Sequence, residues 1–426
     1  MVITKGFCLT FSLGTVCLVA GIANPLFVSP AWGGGLWLYE LGTPDMGTAS
    51  AGRAASAMDA STAGTNPAGM TRLDRSQLLV GAEAIIFSLK FDADPSSTYY
   101  ADGNGGDAGS TIPAGSISYV YNATPDLKFG VAAGSYFGLG LEFENNWAGR
   151  YYLQEADFLT FTVNPAVGYR LNDQFSIGAG VDVVYTKLDN KVAVNTPLAA
   201  GDGRLEYDDH DFGYGYNIGL LYEPWEGTRF GLTYRSEVDL DFEDVPFLTN
   251  AGIFNALLSN RRIDISMTIP QAVLFSAYHE LNDKVAVMGN VGWQEWSKFG
   301  QSTISVQDTS ATNVASDRQF DDTWHVALGV QYRFAPAWLW SVGAAYDSSP
   351  VEDEFRTVDM ALDRQIRYAT GIQYDVNKDV TAGLAYTYID AGDAPVNQTG
   401  TLRGTLTGDF ESNDMHVIAG NVIWKF

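Results

Sequence analysis

The chain has 426 residues, 45 glycines, 22 tyrosines and 13% aromatic residues, and no change of composition after Gln77 that would mark a second domain. One apolar run, residues 6–23, excludes a helical membrane protein, which needs several runs of about 20 residues. The net charge of −25 excludes nucleic acid as a partner, because its phosphates would be repelled.

Residues 1–31 read as a secretory signal peptide: Lys5, the apolar run, then Val28-Ser29-Pro30-Ala31 with a cut before Trp32. A cut after Ala23 is the alternative. Removal takes away only Lys5 among charged residues, so −25 becomes −26. It also removes Cys8 and Cys17, which leaves no disulfide or thiol chemistry. Cys17 lacks the preceding residues of a lipoprotein signal. On an exported protein such acidity suits outer loops facing cation-bridged lipopolysaccharide.

Residues 42–70 are dominated by Gly, Ala, Ser and Thr, with Met46 and Met58 the only bulky apolar residues between Pro44 and Met70. Such a run cannot bury a core of its own, yet it lets other backbones come close, so it is expected to fill a container. Asp59-Ala60-Ser61 suits a capped helical turn, and Asn66-Pro67 ends any helix there.

From Gln77 the signal is alternation. Leu159, Phe161, Val163, Val167 and Tyr169 share one parity against Thr160, Thr162, Asn164 and Gly168; Trp324, Val326, Leu328, Val330, Tyr332 and Phe334 likewise oppose His325, Ala327, Gly329, Gln331 and Arg333. Tight links near residues 124–126, 171–173, 223–227, 281–283, 335–337 and 376–378 alternate with long polar loops near 92–113, 138–155, 190–204, 244–261, 305–317, 348–363 and 391–407. Thirteen connections give 14 strands with both chain ends on the short-turn side. The expected fold is all-β: a 14-stranded antiparallel transmembrane barrel of the bacterial outer membrane. A soluble sandwich also alternates, but its strands are shorter and it would not gather aromatics at strand ends or close on Trp424 and Phe426 in one register.

Leu38-Tyr39-Glu40, residues 47–52, Asp59-Ala60-Ser61-Thr62, Asn66-Pro67-Ala68-Gly69-Met70 and Trp147-Ala148-Gly149-Arg150-Tyr151 together resemble the FadL/TodX family of outer-membrane transporters for hydrophobic compounds. The resemblance spans the mature chain. It implies that residues 32–75 are a hatch inside a barrel of residues 76–426, with Asp59, Asn66, Pro67, Ala68 and Gly69 as its motif. It also implies a kink that opens the third strand, where Gly130, Gly134 and Gly138 stand; glycine within a strand permits a bulge.

The stretch 246–258 is the only helical-period apolar one after the signal, with Phe254, Leu257 and Leu258 at i, i+3 and i+4 and Pro246 at its start. An apolar loop helix is expected to collect lipid or, alternatively, to cap the mouth. The expected ligand contacts are Trp32, Leu36, Leu38, Phe247, Leu248, Phe254, Leu257 and Leu258. A cargo carboxylate would seek a cation among Arg150, Arg204, Arg261, Arg262 and Arg333. His210, His279, His325 and His416 show no metal spacing and no serine stands in a nucleophile elbow, so neither a metal nor another cofactor nor an enzyme is expected. The expected function is passive uptake of a long-chain fatty acid or similar molecule by a monomer that meets membrane lipid, lipopolysaccharide and the barrel-assembly machinery. An aromatic-hydrocarbon transporter, a general porin and a barrel-wall lipase are the alternatives.

Overall fold

The computed structural model describes residues 37–196, 201–252, 255, 258, 260–307 and 314–426. The signal segment and Trp32, Leu36, Phe254 and Leu257 lie outside the described residues. Fourteen antiparallel strands form the wall. They are β1 (Gln77–Ala93), β2 (Thr111–Asn122), β3 (Leu127–Gly134, continued by Gly138–Glu142), β4 (Glu155–Arg170), β5 (Phe175–Val194), β6 (Gly203–Trp225) and β7 (Thr228–Arg235). The second half comprises β8 (Ala272–Asn282), β9 (Val285–Gln294), β10 (Thr323–Ala335), β11 (Trp338–Asp347), β12 (Gln365–Asp375), β13 (Val380–Asp390) and β14 (Gly404–Lys425). Each strand pairs with its neighbour in sequence, and β1 pairs with β14 from Gln77↔Lys425 to Ala93↔Gly408, so no edge is left open.

Burial is inverted relative to a soluble barrel. Leu159, Phe161, Val163, Val167 and Tyr169 face outward, whereas Thr160, Thr162 and Asn164 of the same strand are buried inside. A charge on the outer parity at mid-membrane costs about 2–4 kcal/mol, which explains a band without one along β4. Exposed Trp225, Phe334, Trp338, Trp340, Trp424 and Phe426 ring the short-turn end, and Phe212, Tyr214, Tyr346 and Tyr368 ring the other.

Beyond the long-loop rim the chain builds a second sheet from Val238–Asp244, Ile263–Ile269, Gln301–Val306 and Val314–Asp317. The sequence pattern placed most of this in the ends of wall strands, and only residues 244, 305, 306 and 314–317 in the long loops. The alternation is nevertheless present: Val238, Leu240 and Phe242 are buried on one parity, as are Ile263, Ile265, Met267 and Ile269. The stretch expected to be helical opens instead as a short strand, Phe247–Thr249, which pairs with Glu206, Leu205 and Arg204 of β6; Asn255 and Leu258 beyond it are helical. The extended end of β6 supplied backbone partners that helical periodicity does not reveal.

The interior is filled by residues 38–73. A 3₁₀ turn at Pro44–Thr48, a helical turn at Thr62–Thr65 and a second 3₁₀ turn at Pro67–Arg72 carry almost no exposed residue. Asn66 precedes the last turn: its side chain accepts from Ala68 N at 3.1 Å and donates to Ala54 O at 2.6 Å. The wall meets this segment through inward glycines. A Cβ added at Gly178 would strike Pro67 and Ala68, one at Gly231 the Ala54 carbonyl, and one at Gly343 the Thr48 carbonyl.

Candidate functional site

Strand β3 breaks where the interior segment touches it. Gly134 pairs with Thr162 of β4 and Gly138 with Leu159, so Ser135, Tyr136 and Phe137 stand opposite only Thr160 and Phe161. That one extra residue is a β-bulge. Inward parity switches across it: Ala132 and Gly134 are buried before the bulge, Leu139 and Leu141 after it. On the other side β2 pairs with β3 only as far as Ser116↔Gly134. Thr111 to Gly115 continue along β1 alone, and Gly138 to Leu141 along β4 alone, until Glu142 N donates to Ala108 O at 3.0 Å. Between them the wall has no ladder, and Pro113, lacking an N–H, lies along that stretch.

The bulge is held from inside. Trp37 forms an isolated bridge with Phe137, and Leu38 N donates to Tyr136 O at 3.0 Å. The Phe137 ring packs edge-on against Trp37, Phe158 and Phe299 at centroid distances of 5.5–6.3 Å. Beside it opens a cavity of about 100 Å³, walled by Trp37, Leu38, Phe137, Val184, Val238, Ile269, Leu274 and Trp293. Its polar lining includes Tyr39, Arg53, Thr65, Thr160, Thr162, Asp182, Arg235 and Gln294. A second, polar cavity of about 240 Å³ lies across residues 44–65 and includes Asp45, Asp59, Asp375 and Lys425. Arg53 and Thr65 border both, so the interior segment is the partition between them.

A buried ionic cluster ties this partition to the wall. Glu40 lies 3.3 Å from Arg367, which also pairs with Asp347; His325 Nδ1 is 2.9 Å from Asp347, and the His325 ring stacks on Tyr39 at 4.3 Å. Gln294 Nε2 donates to Tyr39 OH at 2.9 Å. Burial first, and the Asp347 carboxylate second, push the Tyr39 phenol far above its ordinary range, so it remains neutral. On the same partition Arg53 Nη1 reaches Asp45 at 2.7 Å and Tyr39 O at 2.9 Å. Burial raises the Asp59 carboxyl, which accepts from Ser61 N at 2.9 Å.

The sequence candidates scatter. Leu38 lines the apolar cavity, and Asn66, Pro67, Ala68 and Gly69 form the turn against β5 and β6, with Gly178 and Gly219 receiving them. Gly130 faces Met70 and Ala63, so its missing side chain admits the interior segment; Gly134 and Gly138 flank the bulge. Phe247 is exposed and Leu248 half-buried at the mouth, while Leu258 is buried there. Arg150 is far from the apolar cavity: its guanidinium reaches Asp102 at 2.6 Å and Asp202 at 2.8 Å beneath the Trp147 loop. Burial works against that cation, but the hydrogen bonds to Asp202 and Asp102 outweigh it and hold it above its ordinary range. Arg204 pairs with Glu206, Arg262 with Glu243 and Asp264, and Arg333 with Asp375, while Arg261 donates to Gln307 O. The cavity's own cations, Arg53 and Arg235, were not singled out by the sequence; the one available signal was Arg235 closing an alternating strand ahead of Ser236-Glu237.

An apolar-walled, gasketed cavity behind a broken wall strand defines a closed outer-membrane barrel with an occluded lumen. The chain matches the outer membrane protein transport protein family (OMPP1/FadL/TodX) over residues 26–426 and belongs to it. It is 28% identical over 406 residues to a long-chain fatty acid transport protein of Escherichia coli O6:H1, covering 86% of this chain and 89% of that protein. It is 26% identical over 366 residues to outer membrane protein P1 of Haemophilus influenzae, covering 76% and 79%. The fold is similar to that of a Pseudomonas aeruginosa FadL homologue, with a TM-score of 0.83 at 20% identity over 92% of this chain and 99% of that one. It is also similar to the P. putida toluene transporter TodX, with a TM-score of 0.64 at 15% identity over 86% and 94%.

Proposed function

We propose that this protein takes up long-chain fatty acids, or amphiphiles of similar shape, passively across the outer membrane. The observation that carries this reading is the apolar cavity set directly against the bulge and unladdered stretch of β2 and β3. Residues 32–75 act as a hatch. Cargo adsorbs at the mouth, where Phe247 is exposed, moves to the cavity behind Trp37 and Leu38, and leaves sideways between β2 and β3 when the hatch shifts. The family and the fatty acid transport relatives support the cargo class; cationic Arg235 and Arg53 at the cavity favour an anionic amphiphile over a bare aromatic hydrocarbon. The protein acts as a conduit rather than as an enzyme, working as a monomer among lipid and lipopolysaccharide after insertion by the barrel-assembly machinery.

The test is uptake of radiolabelled oleate by cells that lack their own transporter, with this chain supplied on a plasmid. Accumulation above the empty-vector rate is expected. Equal rates, with the barrel present in the outer membrane, would overturn the reading.

A further inference from the structure

Four cations gather inside the lumen at its short-turn end. Arg72 closes the last turn of the interior segment, and Lys128, Arg170 and Arg229 stand on the inward parity at the short-turn ends of β3, β4 and β7. Arg170 Nη2 donates to Thr71 O at 2.5 Å, which sets it beside Arg72. Arg229 lies near enough to repel Arg72: burial first, and that second cation next, push the Arg72 guanidinium down to about 10. None of the four lines either the apolar or the polar cavity.

These cations are poorly matched with carboxylates. The chain carries 50 Asp and Glu against 25 Lys and Arg, so a cation left without one does not reflect scarcity. Yet only Arg72 has a close ion pair, with Glu223. Arg229 is 4% exposed; its Cζ stacks 3.8 Å from the centroid of the Tyr278 ring, and the carboxylate of Glu280 stands off at 3.7 Å. Among the described residues no carboxylate lies within 4 Å of Lys128 or Arg170. The Lys128 ammonium bonds instead to Asn122 Oδ1 and, at 2.9 Å, to Thr124 O, both neutral acceptors. The Nε atoms of Arg72, Arg170 and Arg229 are each buried without a hydrogen-bond partner, so these guanidiniums have forfeited bonds that water would have given them.

We infer that these side chains bind a small oxyanion of the phosphate class from the periplasmic solution. Guanidinium forks match phosphate oxygens two at a time, and a tetrahedral anion faces donors that arrive from three different elements, which a flat carboxylate does not. Its charge offsets the repulsion between Arg72 and Arg229. The four side chains point into the lumen and not toward lipid, so the anion comes from solution rather than from a bilayer headgroup. Once bound, it ties the last turn of the interior segment, through Arg72, to Arg170 of β4 and Arg229 of β7. The site stands apart from the apolar cavity and holds for a carboxylate cargo and a hydrocarbon cargo alike.

The experiment titrates inorganic phosphate into the detergent-purified full chain, with ionic strength held constant by sodium chloride. Binding is read by equilibrium dialysis of radiolabelled phosphate, and its consequence by hydrogen exchange at residues 71–73. Saturable binding of one phosphate per chain is expected, with exchange at those residues slowed as the site fills and unmoved by chloride. Arg170→Gln and Arg229→Gln leave no buried carboxylate behind, since Arg170 has none within reach and the Glu280 side chain is 45% exposed. Each should weaken phosphate roughly 10-fold, the loss of one charge-assisted hydrogen bond, and the two together should reduce binding to background. Arg75→Gln, which alters an exposed cation at the same end of the barrel, should bind as the wild type does. Heat-dependent migration on a gel checks that each variant is folded. Absence of saturable binding to the wild type, protection that chloride reproduces, or a folded double variant that binds phosphate as tightly as the wild type overturns the inference. The two wild-type readings decide it where a variant does not fold.

Discussion

Two junctions between neighbouring strands show how this barrel is built. At the seam, β1 and β14 pair from Gln77↔Lys425 to Ala93↔Gly408, interrupted only by a register shift at Lys90/Phe91. At the third junction, β2 and β3 part company at Ser116↔Gly134 and leave Thr111 to Gly115 without a partner on that side. Both junctions use alternating strands with small residues inside. What separates them is a single extra residue in β3, two consecutive inward side chains, Tyr136 and Phe137, and an interior segment that holds them there. A closed ladder is the default for a membrane-spanning sheet, because unpaired backbone in lipid costs several kcal/mol per group. An interruption in it therefore has to be held open from within.

The contrast can be broken most completely by healing the junction. Deleting Ser135 removes the extra residue, brings β3 into one register with β4, and should cut oleate uptake to background. The folded barrel should persist, as checked by its heat-dependent migration on a gel. Uptake at the wild-type rate would show that the bulge is not the exit. Next comes wedging the interior segment away from the wall. Gly231→Ala places a Cβ on the Ala54 carbonyl and should make residues 50–56 open to protease, whereas Gly420→Ala, whose nearest neighbour is Leu384 Cδ2 at 3.6 Å, should change nothing.

A smaller effect is expected from Asn66→Ala. It removes the donor to Ala54 O and the acceptor of Ala68 N, a loss of about 1–3 kcal/mol that hydrogen exchange at Ala54 and Ala68 should register as roughly 5- to 150-fold faster opening. pH gives a graded version. Because burial raises the Asp59 carboxyl, the docked segment favours its protonated form. Docking is then firmest below the ordinary carboxyl range and loosens as pH climbs through the raised value. Protease sensitivity of residues 56–66 should therefore increase with pH, and Asp59→Asn should flatten the profile. The least effect belongs to Arg75→Gln, which breaks an ion pair with Asp379 that is 40% and 36% exposed. Thermal unfolding should move by no more than about 1 kcal/mol.

Much of this was legible in the chain. Strand number, the short and long links and the outward apolar parity follow from period-two alternation, since one face must meet lipid. The need of residues 42–70 for a container follows from the absence of bulky side chains. The mouth sheet was missed because charged residues such as Asp239, Asp241 and Glu243 fill its outer parity and disguise the buried Val238, Leu240 and Phe242. The switch of inward parity from Gly134 to Leu139 was present in the letters, yet nothing local says which glycine bends. Gly134 and Gly138 flank the bulge in a strand where Gly130 only makes room.

By itself the sequence determined a closed 14-stranded wall, its outward apolar parity and the need of residues 42–70 for a container, because alternation, turn residues and side-chain size act over a few residues at a time. Only the tertiary structure decided where the wall breaks and which cations face the cavity. Arg235, Asp182, Gly64 and Tyr136 are separated by up to 171 residues and meet only because the strands close around the segment that enters first. Charge pairing likewise drew Arg150 to Asp102 and Asp202 in the outer loops, since buried and half-buried cations take whichever carboxylate the fold brings within reach.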